Sequence, residues 1–127
     1  MYDSEQVRRT TDELNLLRKR LGKRFNMFLR LYSDYKRSAR RRGKFFRLLP
    51  LEFYDLTQGN CHYCGISPQQ VKEYRIRLNE LPFIYNGIDR MNNFVGYEVI
   101  NCVSCCWKCN RAKGDLPYEF FLKLKRG

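Results

Sequence analysis

The first forty residues carry a regular helical pattern of apolar positions. The apolar residues recur at seven-residue spacing or fall on the same helical face: Val7, Leu14, Leu17, Leu21, Phe28 and Leu31. This period predicts a helix over about residues 5–40, used for core packing or as a short dimer seam. Gly22 costs a helix interior about 1 kcal/mol relative to alanine, so we expect a break near it. Thr10 and Glu13 have the spacing of a capping box, and Gly43 is expected to end the helix.

The rest of the chain alternates short apolar runs with turn residues. The run "LLPLEFYDLTQG" predicts a short helix with Pro50 near its start and Gly59 past its end. The β-branched and aromatic residues of "FIYNGIDR" predict a strand, and "EVINCV" predicts a second one. The segment "SCCWKCNRAK" predicts a helix that Gly114 ends, and Asp115 is expected to cap a last helix, "PYEFFLKLKR". Residues 66–82 are expected to form a polar loop.

Positive charge is concentrated in the N-terminal part of the chain. The sequence holds 25 Lys or Arg and 13 Asp or Glu, a net charge of +12. Residues 1–50 carry 15 basic and 5 acidic side chains, whereas residues 51–127 carry 10 and 8. We therefore predict a basic helical arm over residues 1–50 joined to a folded module over residues 51–127. The expected partner is a polyanion, above all double-stranded DNA.

The basic side chains expected to bind nucleic acid lie on this arm and on the predicted helix that follows the cysteines. They are Arg37, Arg40, Arg41, Arg42, Lys44, Arg111 and Lys113. Earlier on the arm, Arg18, Arg20 and Arg24 are expected to add phosphate contacts. Such contacts would set affinity without setting the choice of sequence.

Membrane and secretory roles find no support in the sequence. No apolar run approaches the roughly 20 residues that a membrane-spanning helix needs. The N-terminal segment "MYDSEQVRRTTDEL" has no apolar stretch of a signal peptide. We therefore expect an intracellular, reducing compartment, where six cysteines indicate metal ligands before disulfides.

The cysteines offer one certain pair and two overlapping ones. Two residues separate Cys61 from Cys64, the spacing that lets both sulfurs reach one tetrahedral zinc ion from a single tight turn. The second pair must be either Cys102 with Cys105, in and just past a predicted strand, or the pair that shares a face at a predicted helix start. We choose the latter, which gives the zinc ligands Cys61, Cys64, Cys106 and Cys109. Cys102 and Cys105 then become small core residues.

The polar residues around the sulfurs extend this pattern. The segment "GIDRMNNFVGYEVINCVSCCWKCNRAKGDL" resembles the HNH endonucleases with a ββα-metal core. The resemblance is to a phage-type subgroup with the motif GIDR-x-x-N-x-x-GY-x-x-x-N…CC-x-x-CN-x-x-KGD, and it covers roughly residues 32–124. It implies an α+β fold: an HNH core with a structural zinc, preceded by a basic helical arm and closed by a C-terminal helix. It also implies the cytoplasm of a host cell, if the protein is phage-encoded.

The resemblance implies a role for each polar residue of the motif. Asp89, at the end of the first strand, and Asn110, on the helix, would bind the catalytic divalent ion. A carboxylate and an amide oxygen are hard ligands that suit Mg²⁺ or Mn²⁺. Asn101 would be the structural asparagine that ties the loop between the two strands.

The general base is the feature that departs from most HNH enzymes, which have a histidine directly after the ligand aspartate. This chain has Arg90, as the resembling subgroup does, and a guanidinium cannot accept a proton there. Arg90 could instead clamp a phosphate oxygen. His62 is the single histidine; a metal-bound hydroxide or a water ordered by the phosphate is the other candidate for activating the nucleophile.

Two main functions follow from the sequence. The first is a metal-dependent DNA endonuclease that hydrolyses phosphodiester bonds with a single Mg²⁺- or Mn²⁺-type ion. The alternative is a non-catalytic, zinc-containing nucleic-acid-binding module, which Arg90 favours and the retained pair of hard ligands disfavours. A zinc-ribbon protein of an RNA assembly is a third option. A homodimer is left open by the heptad spacing.

Overall fold

A computed structural model describes residues 3–72 and 76–127 and shows an α+β fold. The helices are Ser4–Leu21 (α1), Phe25–Arg41 (α2), Pro50–Gln58 (α3), Trp107–Lys113 (α4) and Tyr118–Arg126 (α5), with 3-10 turns at Gly22–Arg24 and Val99–Asn101. The strands are Gln70–Val71 (β1), Ile84–Tyr85 (β2), Gly87–Arg90 (β3) and Cys102–Cys105 (β4). β1 pairs with β2 and β3 pairs with β4, both antiparallel. No helix among the described residues is long and apolar enough to cross a membrane.

The long N-terminal helical pattern is confirmed, including its break. α1 ends at Gly22, which has a φ of 53°, and a 3-10 turn leads into α2. The predicted capping box is wrong, because Thr10 lies inside α1 and the helix is capped by Asp3, whose carboxylate accepts from the Gln6 N–H at 2.6 Å. Glu13 instead accepts from the Leu51 N–H at 2.9 Å, which ties α1 to α3.

The apolar stripe of these helices forms the main core. Leu17, Phe25 and Phe28 are buried, whereas Val7 is 50 % exposed. The Phe28 ring lies 5.9 Å from that of Phe53 on α3 and 5.4 Å from that of Phe83. The core thus crosses residue 50, and the division into an arm and a module stays a prediction about function. The stripe is used within the chain, so it no longer argues for a dimer seam.

The hairpin of β3 and β4 carries the motif residues. Asp89 lies opposite Val103 and Arg90 opposite Cys102. The predicted strand "EVINCV" begins later than expected, because residues 99–101 form a 3-10 turn that turns the Asn101 side chain toward the preceding loop.

The helix α4 also begins later than predicted. Ser104 and Cys105 are used in pairing with β3, so Cys106 becomes the N-cap of α4. Gly114 ends the helix as expected, with a φ of 48°. Asp115 does not cap the last helix, whose N-cap is Pro117.

The segment 66–82 is less of a loop than predicted. It contains β1, in which Gln70 pairs with Tyr85 and Val71 with Ile84. Arg30 on α2 binds Glu80 through two hydrogen bonds of 2.9 Å. Residues 73–75 of this predicted loop lie outside the described part of the chain.

Candidate active site and metal centre

Four cysteines from two separate elements converge at one point. The tight turn after α3 supplies two of them and the start of α4 supplies two: Cys61, Cys64, Cys106 and Cys109. Their sulfur atoms all lie within 4.8 Å of one another. Cys64 Sγ and Cys106 Sγ are 3.7 Å apart, close to the edge of about 3.8 Å that a tetrahedron with Zn–S bonds of about 2.3 Å would have. The predicted quartet is confirmed as a set of side chains positioned for a metal ion.

The backbone of the cysteine turn explains its shape. The Gly65 N–H donates to the Cys61 carbonyl at 2.8 Å, and Gly65 takes a φ of 81°, which a side chain would disfavour. The His62 N–H donates to the Ser104 carbonyl at 2.8 Å. The turn is therefore fixed against β4, directly before the strand hands over to Cys106.

The thiol environments separate the ligands from the core cysteines. Burial raises the pKa of Cys61, but hydrogen bonds from backbone N–H groups outweigh it and lower that pKa to about 6. Burial raises the pKa of Cys102 to about 11 and that of Cys105 well above its ordinary value. Since the thiolate is the metal ligand, the turn supplies a ready one. Cys102 and Cys105 are buried neutral thiols, as predicted.

Asp89 is buried in a ring of polar contacts. Only 6 % of the residue is exposed. Its Oδ2 accepts from the Tyr63 hydroxyl at 2.6 Å. The Lys113 ammonium lies 3.5 Å from Oδ1 and 3.4 Å from Oδ2. Two elements of the metal centre, the cysteine turn and α4, therefore each place one side chain on this carboxylate.

Tyr63 is a site residue that the sequence reasoning missed. Burial and its hydrogen bond to Asp89 raise the pKa of the hydroxyl far above its ordinary value, so it stays a protonated donor. Its ring lies 4.9 Å from that of Phe121 on α5. The available signal was its place between Cys61 and Cys64, in a turn that the metal ligands hold against the hairpin.

Lys113 does not fit its predicted place on a nucleic-acid surface. The side chain is fully buried, and besides Asp89 its Nζ donates to the Arg90 carbonyl at 3.2 Å and to Asn93 Oδ1 at 3.2 Å. It ties α4 to β3 and to the loop that follows. Helical period offered the signal, since Lys113 lies four residues after Cys109, on the buried face of α4.

Asn101 has the geometry expected of a structural asparagine. Its Oδ1 accepts from the Asn92 N–H at 2.9 Å. Its Nδ2 donates to the carbonyls of Asn92 and Gly96, each at 3.1 Å. The side chain thus holds both ends of the loop over residues 91–98.

Arg90 also serves this loop. Its Nη1 donates to the Asn93 carbonyl at 2.8 Å and to the Val95 carbonyl at 3.0 Å. Its guanidinium carbon lies 5.3 Å from the centre of the Tyr97 ring. Part of the guanidinium is therefore committed to loop structure before any phosphate arrives.

A cleft of about 810 Å³ brings the predicted catalytic residues and the basic helix together. Asp89, Arg90 and Asn110 line it. Most of the predicted nucleic-acid-binding residues line it as well: Arg37, Arg41, Arg42, Lys44 and Arg111. Arg40 instead lines a neighbouring groove of about 500 Å³, which shares Lys44 with the cleft. The cleft is thus a cationic surface with a carboxylate and an amide in its wall.

His62 lies apart from this cleft. Its Nε2 is 2.8 Å from the Tyr118 hydroxyl on α5, and the two rings stack with centres 5.9 Å apart. Burial and the nearby Arg126 lower the pKa of the imidazole. The histidine is not among the residues that line the cleft.

Comparisons with known proteins agree with this architecture. No protein-family model matches the chain. The uncharacterized protein R423 of Acanthamoeba polyphaga mimivirus is 38 % identical over 93 residues, which is 73 % of this chain but only 15 % of that protein. The structure of the rare-cutting HNH restriction endonuclease PacI aligns with a TM-score of 0.58 and 23 % identity, covering 78 % of this chain and 74 % of that one. The chain therefore has an HNH-like fold with a four-cysteine metal site.

Proposed function

We propose that the chain is a metal-dependent DNA endonuclease that hydrolyses phosphodiester bonds with a single Mg²⁺- or Mn²⁺-type ion. The observation that carries the proposal is the cleft in which Asp89 and Asn110 face the arginines of α2. A binding surface alone would need the arginines but not a hard-ligand pair. The likeness to PacI, an HNH restriction endonuclease, supports the same class of activity and DNA as the partner.

The donor set of the cleft fits a hard cation. Asp89 and Asn110 supply a carboxylate and an amide oxygen, which suit Mg²⁺ or Mn²⁺. When bound, such an ion supplies positive charge at the scissile phosphate and at the departing oxygen. The hydroxyl of Tyr63 orients the Asp89 carboxylate through its 2.6 Å hydrogen bond.

The other residues of the cleft bind and position the phosphates. Arg37, Arg41 and Arg42 on α2 offer guanidinium groups that match phosphate oxygens. Arg90 stays protonated, so it cannot activate water, and His62 lies outside the cleft. We therefore assign water activation to the divalent ion or to the phosphate rather than to a histidine.

The four-cysteine site is proposed to hold a structural zinc ion. It would join the turn that carries Tyr63 to the helix that carries Asn110, and so fix both sides of the cleft. All six cysteines are free thiols, and an intracellular, reducing compartment stays our prediction for a chain that depends on them.

One observation favours the non-catalytic module as a second candidate. The Lys113 ammonium lies 3.4 Å from Asp89 Oδ2 and 3.5 Å from Oδ1, so a cation of the protein already neutralises this carboxylate. A module that only binds nucleic acid would keep that ion pair for stability. Cleavage decides between the two candidates.

The test is cleavage of supercoiled plasmid by the zinc-loaded chain with added Mg²⁺ or Mn²⁺. We expect nicked or linear product from the wild type, and none from Asp89→Asn or Asn110→Ala, because each variant removes a ligand of the divalent ion and leaves the cysteines intact. Asp55→Asn, an exposed site on α3, is the matched control and should cut normally. Zinc content and DNA affinity are measured for every variant. A wild type that binds DNA and cuts with neither ion would support the binding module instead.

A further inference from the structure

Phe94 projects from the loop between β3 and β4 with 89 % of its surface exposed. We infer that this ring is a wedge that stacks on, or inserts between, DNA bases when the duplex lies in the cleft. The inference rests on the proposed function, since it needs DNA in that cleft. It adds a contact to the bases themselves, which the arginines of α2 do not supply.

The loop holds Phe94 in place. The Phe94 N–H donates to Asn92 Oδ1 at 2.9 Å, and its carbonyl accepts from Lys44 Nζ at 3.3 Å. Asn101 fixes the same loop through the Asn92 N–H at 2.9 Å and the Gly96 carbonyl at 3.1 Å. A ring presented by a fixed backbone loses little conformational freedom when it binds, which favours recognition.

The position of the loop points to nucleic acid. Asn93, directly before Phe94, lines the cleft together with Arg90. Lys44, which binds the Phe94 carbonyl, also lines the cleft and the neighbouring groove. The ring therefore emerges from surroundings that attract phosphates. Bases offer an aromatic ring two faces to stack on, and apolar wedges beside basic contacts are a known means of kinking a duplex.

A protein partner fits these surroundings less well. The cores of protein interfaces are poor in charged residues, with apolar side chains grouped together. Here the nearest cleft-lining side chains are polar or cationic: Asn93, Arg90 and Lys44. The charge of the molecule, +12 overall, complements DNA.

The experiment uses the zinc-loaded full chain without added Mg²⁺ or Mn²⁺, so that DNA is bound and not cut. Binding to a short duplex is followed by fluorescence anisotropy. Unwinding is followed by relaxing a plasmid with a metal-independent topoisomerase at saturating protein and reading the linking number. The variants are Phe94→Ala, Phe94→Trp and Leu78→Ala. Leu78 is 91 % exposed and lines neither the cleft nor the groove, so it is the matched control.

We expect the wild type, Phe94→Trp and Leu78→Ala to shift the linking number at saturation. Phe94→Ala should bind about 5- to 150-fold more weakly, the loss that one base-stacking contact produces. At saturation it should leave the linking number unchanged. Because the ring contributes almost nothing to the core, zinc content and circular dichroism should match the wild type.

The outcomes separate this inference from the proposed function. If the wild type binds the duplex and Phe94→Ala shifts the linking number equally, the wedge is wrong while DNA binding stands. If the wild type fails to bind DNA, the proposed function fails, and the wedge fails with it. If Phe94→Ala changes only self-association, measured by sedimentation velocity, Phe94 is a protein contact and the wedge is wrong.

Discussion

At the scale of single residues, the helix α4 separates what spacing reveals from what it hides. The cysteine quartet could be predicted because tetrahedral coordination demands fixed spacings within one turn. The roles of Arg111 and Lys113 could not be told apart by composition, since both are basic residues of one motif. In the structure, Arg111 is exposed at the cleft and Lys113 is buried against Asp89. Burial depends on which face of α4 packs against β3, and that is decided by tertiary structure.

The pair gives a prediction at this scale. Lys113→Met should lower the free energy of unfolding by about 3–5 kcal/mol, because it leaves the Asp89 carboxylate buried without its cation. Arg111→Ala should change it by no more than about 0.5 kcal/mol while weakening DNA binding. Urea unfolding of the zinc-loaded chains and anisotropy titrations with duplex DNA measure the two effects. A stable Lys113→Met with a large loss of DNA affinity would restore Lys113 to the nucleic-acid surface.

At the scale of elements, α4 is a seven-residue helix that carries much of the site. Isolated helices of this length are marginal in water, so α4 depends on its contacts for stability. Its end at Gly114 was predictable from the left-handed conformation that glycine permits. Its start was not, because "SCC" suits a helix or a strand, and pairing of Gly87 with Cys105 and of Ile88 with Ser104 decides for the strand.

The dependence of α4 on metal gives the second prediction. Cys106→Ser should lose zinc and unfold the site, because the residue is both a ligand and the N-cap of α4. Cys105→Ala, at the adjacent buried position, should keep one zinc ion per chain. Zinc is measured by mass spectrometry and folding by the fluorescence of the single tryptophan, Trp107, at the start of α4. Zinc kept by Cys106→Ser and lost by Cys105→Ala would overturn the ligand assignment.

A third prediction concerns the ion pair that ties the segment before β2 to α2. Hydrogen bonds from Arg30, and one from the Arg77 N–H, lower the pKa of Glu80 to about 2. A lowered folded-state pKa contributes stability that is fully present above the unfolded value of about 4.3 and is lost as pH falls toward the folded one. Glu80→Gln should therefore be less stable than the wild type at pH 7, with the gap constant to about pH 5 and narrowing below about pH 4.3.

Thermal melts across this pH range measure the gap. Glu119→Gln, on the exposed side of α5, is the control and should melt with the wild type throughout. Zinc release in acid lowers the stability of every variant, so only differences between variants at one pH are compared. A gap that stays constant to pH 3 would mean that the carboxylate charge of Glu80 does not contribute.

At the scale of the whole molecule, charge was easier to predict than architecture. Counting side chains was enough to find the basic N-terminal part, and α2 does bring several of its arginines to the cleft. The heptad spacing could not show whether the stripe faces a second chain or the chain's own core. Leu17 and Phe28 are fully buried in that core, so deleting residues 1–31 would destroy the fold rather than test the arm.

Charge variants that keep the core therefore provide the last prediction. Arg37, Arg41 and Arg42 line the cleft, and changing all three to Gln should flatten the plot of log affinity for duplex DNA against log salt by about 2.7, or about 0.9 per phosphate contact. The matched control changes the same number of exposed charges outside the cleft, at Arg8, Lys19 and Arg24. Both variants lose the same net charge, so a much smaller change in the control would mean that local contacts set the slope. Equal slopes would mean that DNA responds to the overall field, and the cleft would lose its claim to be the binding site.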